Sequence, residues 1–143
     1  MIDIPAAAIA TLISSSVATI VALRINDYNS VSNFRDQLDD ILKTAIQYPY
    51  LENPAFCDAW KENKDSEDER YIRYDHYCSL VFNYLERLCK YHRFNISKIE
   101  KQLNVKAWIR RHKYSWQYPK GDPNENIDSY DKRFVNIIKQ YIE

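Results

Sequence analysis

The sequence predicts an all-α protein, with an N-terminal transmembrane helix within residues 1–27 and a compact five- to six-helix cytosolic domain over residues 28–143. Three observations predict it. The first is a single glycine, Gly121, in 143 residues. Hairpin turns and phosphate-cradling loops need backbone at positive φ, which glycine normally supplies. Its scarcity argues against a β-sandwich, a P-loop protein or a Rossmann fold. The second is the stretch Ile4 to Leu23, which carries no charge and as a helix would measure about 30 Å, the hydrocarbon thickness of a bilayer. The third is that the remaining apolar residues recur at helical spacing, with capping signals where the patterns begin.

In the first element, Asp3 precedes the uncharged run and Arg24 follows it, with Arg35 and Lys43 beyond. Positive flanks stay cytoplasmic, so the expected topology is single-pass in the cell inner membrane, N-terminus out and C-terminal domain in the cytoplasm. A cleaved signal peptide fits less well, because Met1-Ile2-Asp3 lacks the positive start such a peptide carries. Ile9, Leu12, Ile13, Ile20 and Leu23 share one sector of the helix. Ala6, Ala10, Ser14, Ala18 and Ala22 recur every four residues, a small-residue ridge that lets helix backbones approach closely. These five are the candidate oligomerisation residues, and a homo-oligomer is expected.

Asn26 to Ser30 reads as a polar connector. A helix from Ser32 to Gln47 then carries Phe34, Leu38, Ile41, Leu42, Ala45 and Ile46. Tyr48 to Pro54 reads as a rigid linker, and Pro54 can open a short helix bearing Phe56, Cys57 and Trp60. The longest helix of the domain should begin at the capping box Ser66 to Glu69 and reach His92, with Ile72, Cys78, Val81, Phe82, Leu85, Leu88 and Cys89 as its apolar face. A second capping box, Ser97 to Glu100, opens a short helix. Val105 to Tyr114 follows, then a Pro119–Pro123 loop, then a last helix from Asp128 to Ile142.

Twenty basic and twenty acidic residues leave no net charge, so bulk electrostatics names no partner. Cys57, Cys78 and Cys89 are an odd set without paired spacing; they suit a reducing compartment rather than a disulfide framework. The clearest charge feature runs from Arg87 to Lys113, with nine basic residues against Glu100 alone. Tyr91, Phe94, Trp108 and Tyr114 are interleaved. Basic and aromatic side chains together can hold a nucleotide or another small anion. They can also press on anionic lipid headgroups, or form an ordinary solvated face. The candidate ligand-binding residues are Arg87, Arg93, Trp108, Arg110, Arg111, His112 and Lys113. If one helix runs through Trp108, His112 and Trp116, they share a face, either as a stacking shelf or, the preferred reading, as the edge of the core. No catalytic site, metal or cofactor is expected. His76 and Cys78 are two apart on a helix and face different ways, and Cys89 with His92 makes only two metal ligands. Glu125-Asn126 before the last helix is a polar latch or a ligand contact.

Several strings carry a resemblance. Tyr48-Pro49-Tyr50-Leu51-Glu52-Asn53-Pro54 and Tyr77 to Glu86 come first. Trp108-Ile109-Arg110-Arg111-His112 with Trp116 and Pro119, then Glu125-Asn126 with Tyr130, complete the set. Together they resemble a family of small bacterial proteins with one membrane helix and a helical cytosolic domain. Such proteins in turn are similar in design to effectors of bacterial antiviral defence. The family resemblance implies no particular activity and transfers no catalytic residue; the likeness in design implies a cytosolic domain that senses a signal, often a nucleotide, and a membrane segment that acts. The expected function is therefore a membrane-anchored, self-associating module whose domain binds an anionic signal. A membrane-tethered adaptor docking a protein partner is the alternative.

Overall fold

The computed structural model describes residues 6–143, with side chains from residue 18 onward. Its described residues are helical without a strand. The first helix, α1, runs Ala6–Gln47. The expected break at Asn26–Ser30 is absent, because neither glycine nor proline interrupts the segment and its polar residues suit a solvated helix. Among the described residues no helix is long and apolar enough to cross a membrane. Most of the expected span, Ile4 to Leu23, falls on residues whose side chains are not described, those of Ala6, Ala10 and Ser14 among them, while Ala18 and Ala22 are exposed.

The chain divides into two compact units, one ending at Gln37 and the other covering Leu38–Glu143. In the first, Ile20, Leu23, Ile25, Tyr28 and Val31 stand between 48% and 76% exposed. Ile20, Leu23 and Val31 fall in one sector of the helix, an outward-facing apolar stripe interrupted by Asp27.

The second unit is a helical domain built on α4, Glu69–Tyr91. Before it come a single 3-10 turn, Pro49–Glu52, and two short helices, α2 (Pro54–Asp58) and α3 (Trp60–Asn63). After it come α5 (Ile96–Glu100), α6 (Val105–Arg111), α7 (Lys113–Gln117), α8 (Glu125–Ser129) and α9 (Lys132–Ile142). The expected five or six helices are thus more numerous and shorter. The Pro54 helix is divided at Ala59, the Val105 helix at His112, and the segment before Asp131 folds into a turn of its own.

The capping signals also lie slightly elsewhere. Asp68, not Ser66, caps α4 by accepting the Arg70 amide at 2.9 Å, and Ser66 supports it by accepting the Asp68 amide at 3.1 Å. Asn95, not Ser97, caps α5. Asp and Asn cap as well as Ser does, so two adjacent candidates competed. The buried face of α4 is led by Tyr71, Tyr74 and Tyr77 ahead of Cys78, Val81, Phe82, Leu85 and Leu88, while Ile72 is turned outward. Tyr71 stacks on Phe56 with centroids 4.5 Å apart, and Tyr74 meets Trp60 at 5.5 Å. Large aromatic rings bury more area than one isoleucine, and their packing sets the rotation of the helix.

Helix α4 ends without a glycine. Arg93 and Phe94 take φ of 52° and 60°. The Phe94 amide donates to the Cys89 carbonyl at 2.7 Å and the Arg93 amide to Lys90 at 3.0 Å. That is a Schellman termination with arginine in the position glycine usually holds. At the far end, α9 is tied back by Arg110, whose Nε donates to the Tyr141 carbonyl at 2.9 Å. Tyr141 Oη in turn donates to Glu100 at 2.9 Å.

Candidate functional site

The polar centre of the domain is a carboxylate in the linker between α1 and α2. Pro49 starts the 3-10 turn, Pro54 occupies the first turn of α2, and fully buried Leu51 anchors the segment. With its ends fixed in this way, the turn directs Glu52 toward α4 and α6. Three donors converge on its Oε1: Tyr77 Oη at 2.6 Å, Trp108 Nε1 at 2.9 Å and His112 Nε2 at 3.1 Å. Burial opposes ionisation of Glu52, but the hydrogen bonds and charge of His112, with the Trp108 and Tyr77 bonds, outweigh it and hold the carboxyl down at about 2. Glu52 is therefore ionised at neutral pH. No hydrogen bond is made by its Oε2 among the described residues, and its side chain keeps 33% of its surface exposed.

His112 marks the break between α6 and α7, with φ −106° and ψ 18°, the bridge region where irregular backbone collects. The break turns the imidazole fully inward. Its Nε2–H donates to Glu52, and its Nδ1 meets Tyr74 Oη at 3.0 Å and Cys78 Sγ at 3.7 Å. With a neutral ring, Nδ1 accepts from Tyr74; with a charged ring, it donates to the same oxygen. Either state is satisfied.

Glu52, His112 and Cys78 thus lie in the order of a carboxylate–imidazole–thiol relay. The chemistry does not follow. Cys78 is buried, and burial pushes its thiol far above the ordinary range, whereas a nucleophilic cysteine needs a lowered one. Tyr74 stands nearer to Nδ1 than the sulfur does, and no substrate can reach a fully buried pair. Cys57 is similar: its Sγ donates to the Leu51 carbonyl at 3.3 Å, and burial raises its thiol to about 11. The cluster is a satisfied core network, the kind that specifies one packing arrangement.

Beside the network lies an open groove of about 380 Å³. Leu38, Leu42, Leu103 and Ala107 give it an apolar surface, and Glu52, Trp108 and Arg111 bring polar groups to it. Arg111 makes no hydrogen bond or ion pair among the described residues, although it is only partly exposed. Two of the sequence-predicted ligand residues, Trp108 and Arg111, meet at this cavity.

The other five are dispersed. His112 is sealed in the core, and Arg110 is committed to the Tyr141 carbonyl. Arg87 is exposed on α4, Arg93 stands in the turn that ends it, and Lys113 lies 4.8 Å over the Tyr114 ring. Trp108, His112 and Trp116 form the edge of the core, as preferred, though the Trp108 indole bonds to a carboxylate rather than to backbone. Trp116 meets Phe82 at 5.0 Å and Phe134 at 6.0 Å. Asn126 is the latch: its Nδ2 donates to the Trp116 carbonyl at 2.9 Å. Among the described residues no group of three or more His, Cys, Asp or Glu side chains is placed to hold a metal. Glu52 escaped the sequence reading because the linker shows only prolines and aromatics; the one available signal was a lone acid held between two prolines.

No family model, curated protein or solved structure matches the chain. The site is therefore read from its own geometry.

Proposed function

We propose that the chain is a membrane-anchored, self-associating, non-enzymatic sensor or effector, of the design used in bacterial antiviral defence. The N-terminal part of α1 crosses the inner membrane, N-terminus out. The domain on the cytoplasmic side receives a small anionic ligand at Arg111 and Trp108. One observation carries this reading: the apolar residues of α1 from Ile20 to Val31 stand uncovered in the single chain. Large apolar side chains left exposed in this number along one helix favour lipid or another helix against them, with Arg24 and Asp27 marking where water reaches. Ala18 and Ala22, exposed on the side of the helix away from Ile20 and Val31, continue in sequence the every-fourth-residue small pattern of Ala6, Ala10 and Ser14. The sealed state of Cys78 and His112 supports a binding role over a catalytic one.

Ligand binding can change assembly only if one packing arrangement binds more tightly than another. Leu38 and Leu42 of α1 line the groove itself, so an occupant touches the same helix that carries the apolar stripe. Alkaline extraction of bacterial membranes holding the full chain tests the anchor. Retention in the pellet is expected, and release into the supernatant would overturn the proposal.

A second reading is an adaptor that docks a protein partner. Leu42 and Ile46, 45% and 78% exposed at the end of α1, favour it. Recovery of one stoichiometric protein with the full chain, without ligand binding, would select this alternative.

A further inference from the structure

The groove has an unusual charge pattern for a nucleotide or phosphate site. An ionised carboxylate stands at its edge, with Oε2 of Glu52 making no hydrogen bond. The Arg111 guanidinium lines the same groove and makes no hydrogen bond or ion pair among the described residues. The two are not paired with each other, since no ion pair joins them among the described residues. Asn104, whose Oδ1 accepts the Ala107 amide, and Trp108 complete the polar lining, and the rest is apolar: Leu38, Leu42, Leu103 and Ala107.

A phosphate brought to Arg111 would carry two negative charges toward Glu52, and like charges in a partly desolvated site repel strongly. A simple carboxylate would satisfy Arg111 and leave Oε2 without a donor. A ligand bearing both an ammonium and a carboxylate satisfies both groups. Guanidinium binds carboxylate through paired N–H donors, and Glu52 Oε2 accepts from the ammonium. An aliphatic or aromatic tail then lies against the leucines, in a cleft of the size small-ligand sites have.

Resting on the proposal that the groove is the ligand site, we infer that the anionic group taken by Arg111 is the carboxylate of a zwitterion with an apolar side chain, that is, an apolar α-amino acid. Glu52 takes its ammonium, Arg111 its carboxylate, and Leu38, Leu42 and Leu103 its side chain. Trp108 reports on occupancy, because it lines the groove whereas Trp60 and Trp116 are buried.

The test titrates the full chain in detergent micelles with L-leucine and L-phenylalanine, following tryptophan fluorescence and heat of binding. 4-Methylpentanoate, isoamylamine and ATP are the comparison probes. The inference expects one of the amino acids to saturate a single site, with the carboxylate and the amine weaker by about tenfold or more. Arg111→Gln should weaken the amino acid by about tenfold or more while the melting temperature is unchanged. Binding of 4-methylpentanoate or ATP as tight as that of the amino acids would overturn the zwitterion and leave an anion site standing. No binding by any probe would overturn both. Because the ligand series requires no variant, it decides the matter even if Arg111→Gln fails to fold.

Discussion

Glu52 holds three donors on one oxygen, so a single truncation there unpairs all three. Glu52→Ala strands the buried His112 imidazole, the Trp108 indole and the Tyr77 hydroxyl together. Leaving buried donors unpaired costs about 1–3 kcal/mol each, so a loss of about 3 kcal/mol or more is expected in chemical denaturation. Glu52→Gln retains an acceptor and should cost about 1–2 kcal/mol. The same residue sets an acid limit. Its folded pKa, about 2, lies below the ordinary value of 4.5. Its contribution is therefore complete above pH 4.5 and is lost as pH falls toward 2, where the unfolded chain already binds the proton. Melting temperature measured from pH 7 to 2 should fall more steeply for the wild type than for Glu52→Gln below pH 4.5. Parallel curves would show that the hub does not couple to protons as described. Asp131, lowered to about 2 by the Arg133 hydrogen bonds, acts in the same window in both proteins and so cancels from the comparison.

At the scale of elements, the end of α4 is where sequence and conformation disagree most. Arg93 occupies the left-handed position of a Schellman turn, at φ 52°, and a non-glycine residue there costs about 1–2 kcal/mol. Arg93→Gly should stabilise the domain by about 1 kcal/mol, once the greater freedom of glycine in the unfolded chain is subtracted. An unchanged or lowered midpoint in urea would show that the turn carries no such strain. The same elements show what was legible beforehand. The all-helical class and core positions of α4 such as Val81 and Leu85 follow from spacing alone. Helix ends and the rotation of α4 do not, because neighbouring Ser, Asp and Asn side chains compete as caps and because tyrosine packing outranks Ile72. The site was half legible. Trp108 and Arg111 stood out as basic and aromatic neighbours, but their meeting with Glu52 depends on a contact 56 residues away in the chain, which no local pattern encodes. His112 looked like a ligand residue for the same reason. Only the backbone break between α6 and α7, which turns it inward, separates the two roles.

For the whole molecule, the account joins an uncovered helix to a domain with one apolar, doubly charged groove. The helix runs from Ala6 to Gln47. Small residues at the contact are what allow close approach of helices in lipid, and larger ones there should drive them apart. The molecular mass of the full chain, measured by light scattering in a mild detergent for the wild type and for the Ala18→Leu, Ala22→Leu double variant, tests this most directly. The account predicts a defined multimer for the wild type, a smaller species for the variant, and aggregation of both when detergent is withdrawn. A wild-type chain that remains a stable monomer in plain buffer would contradict it.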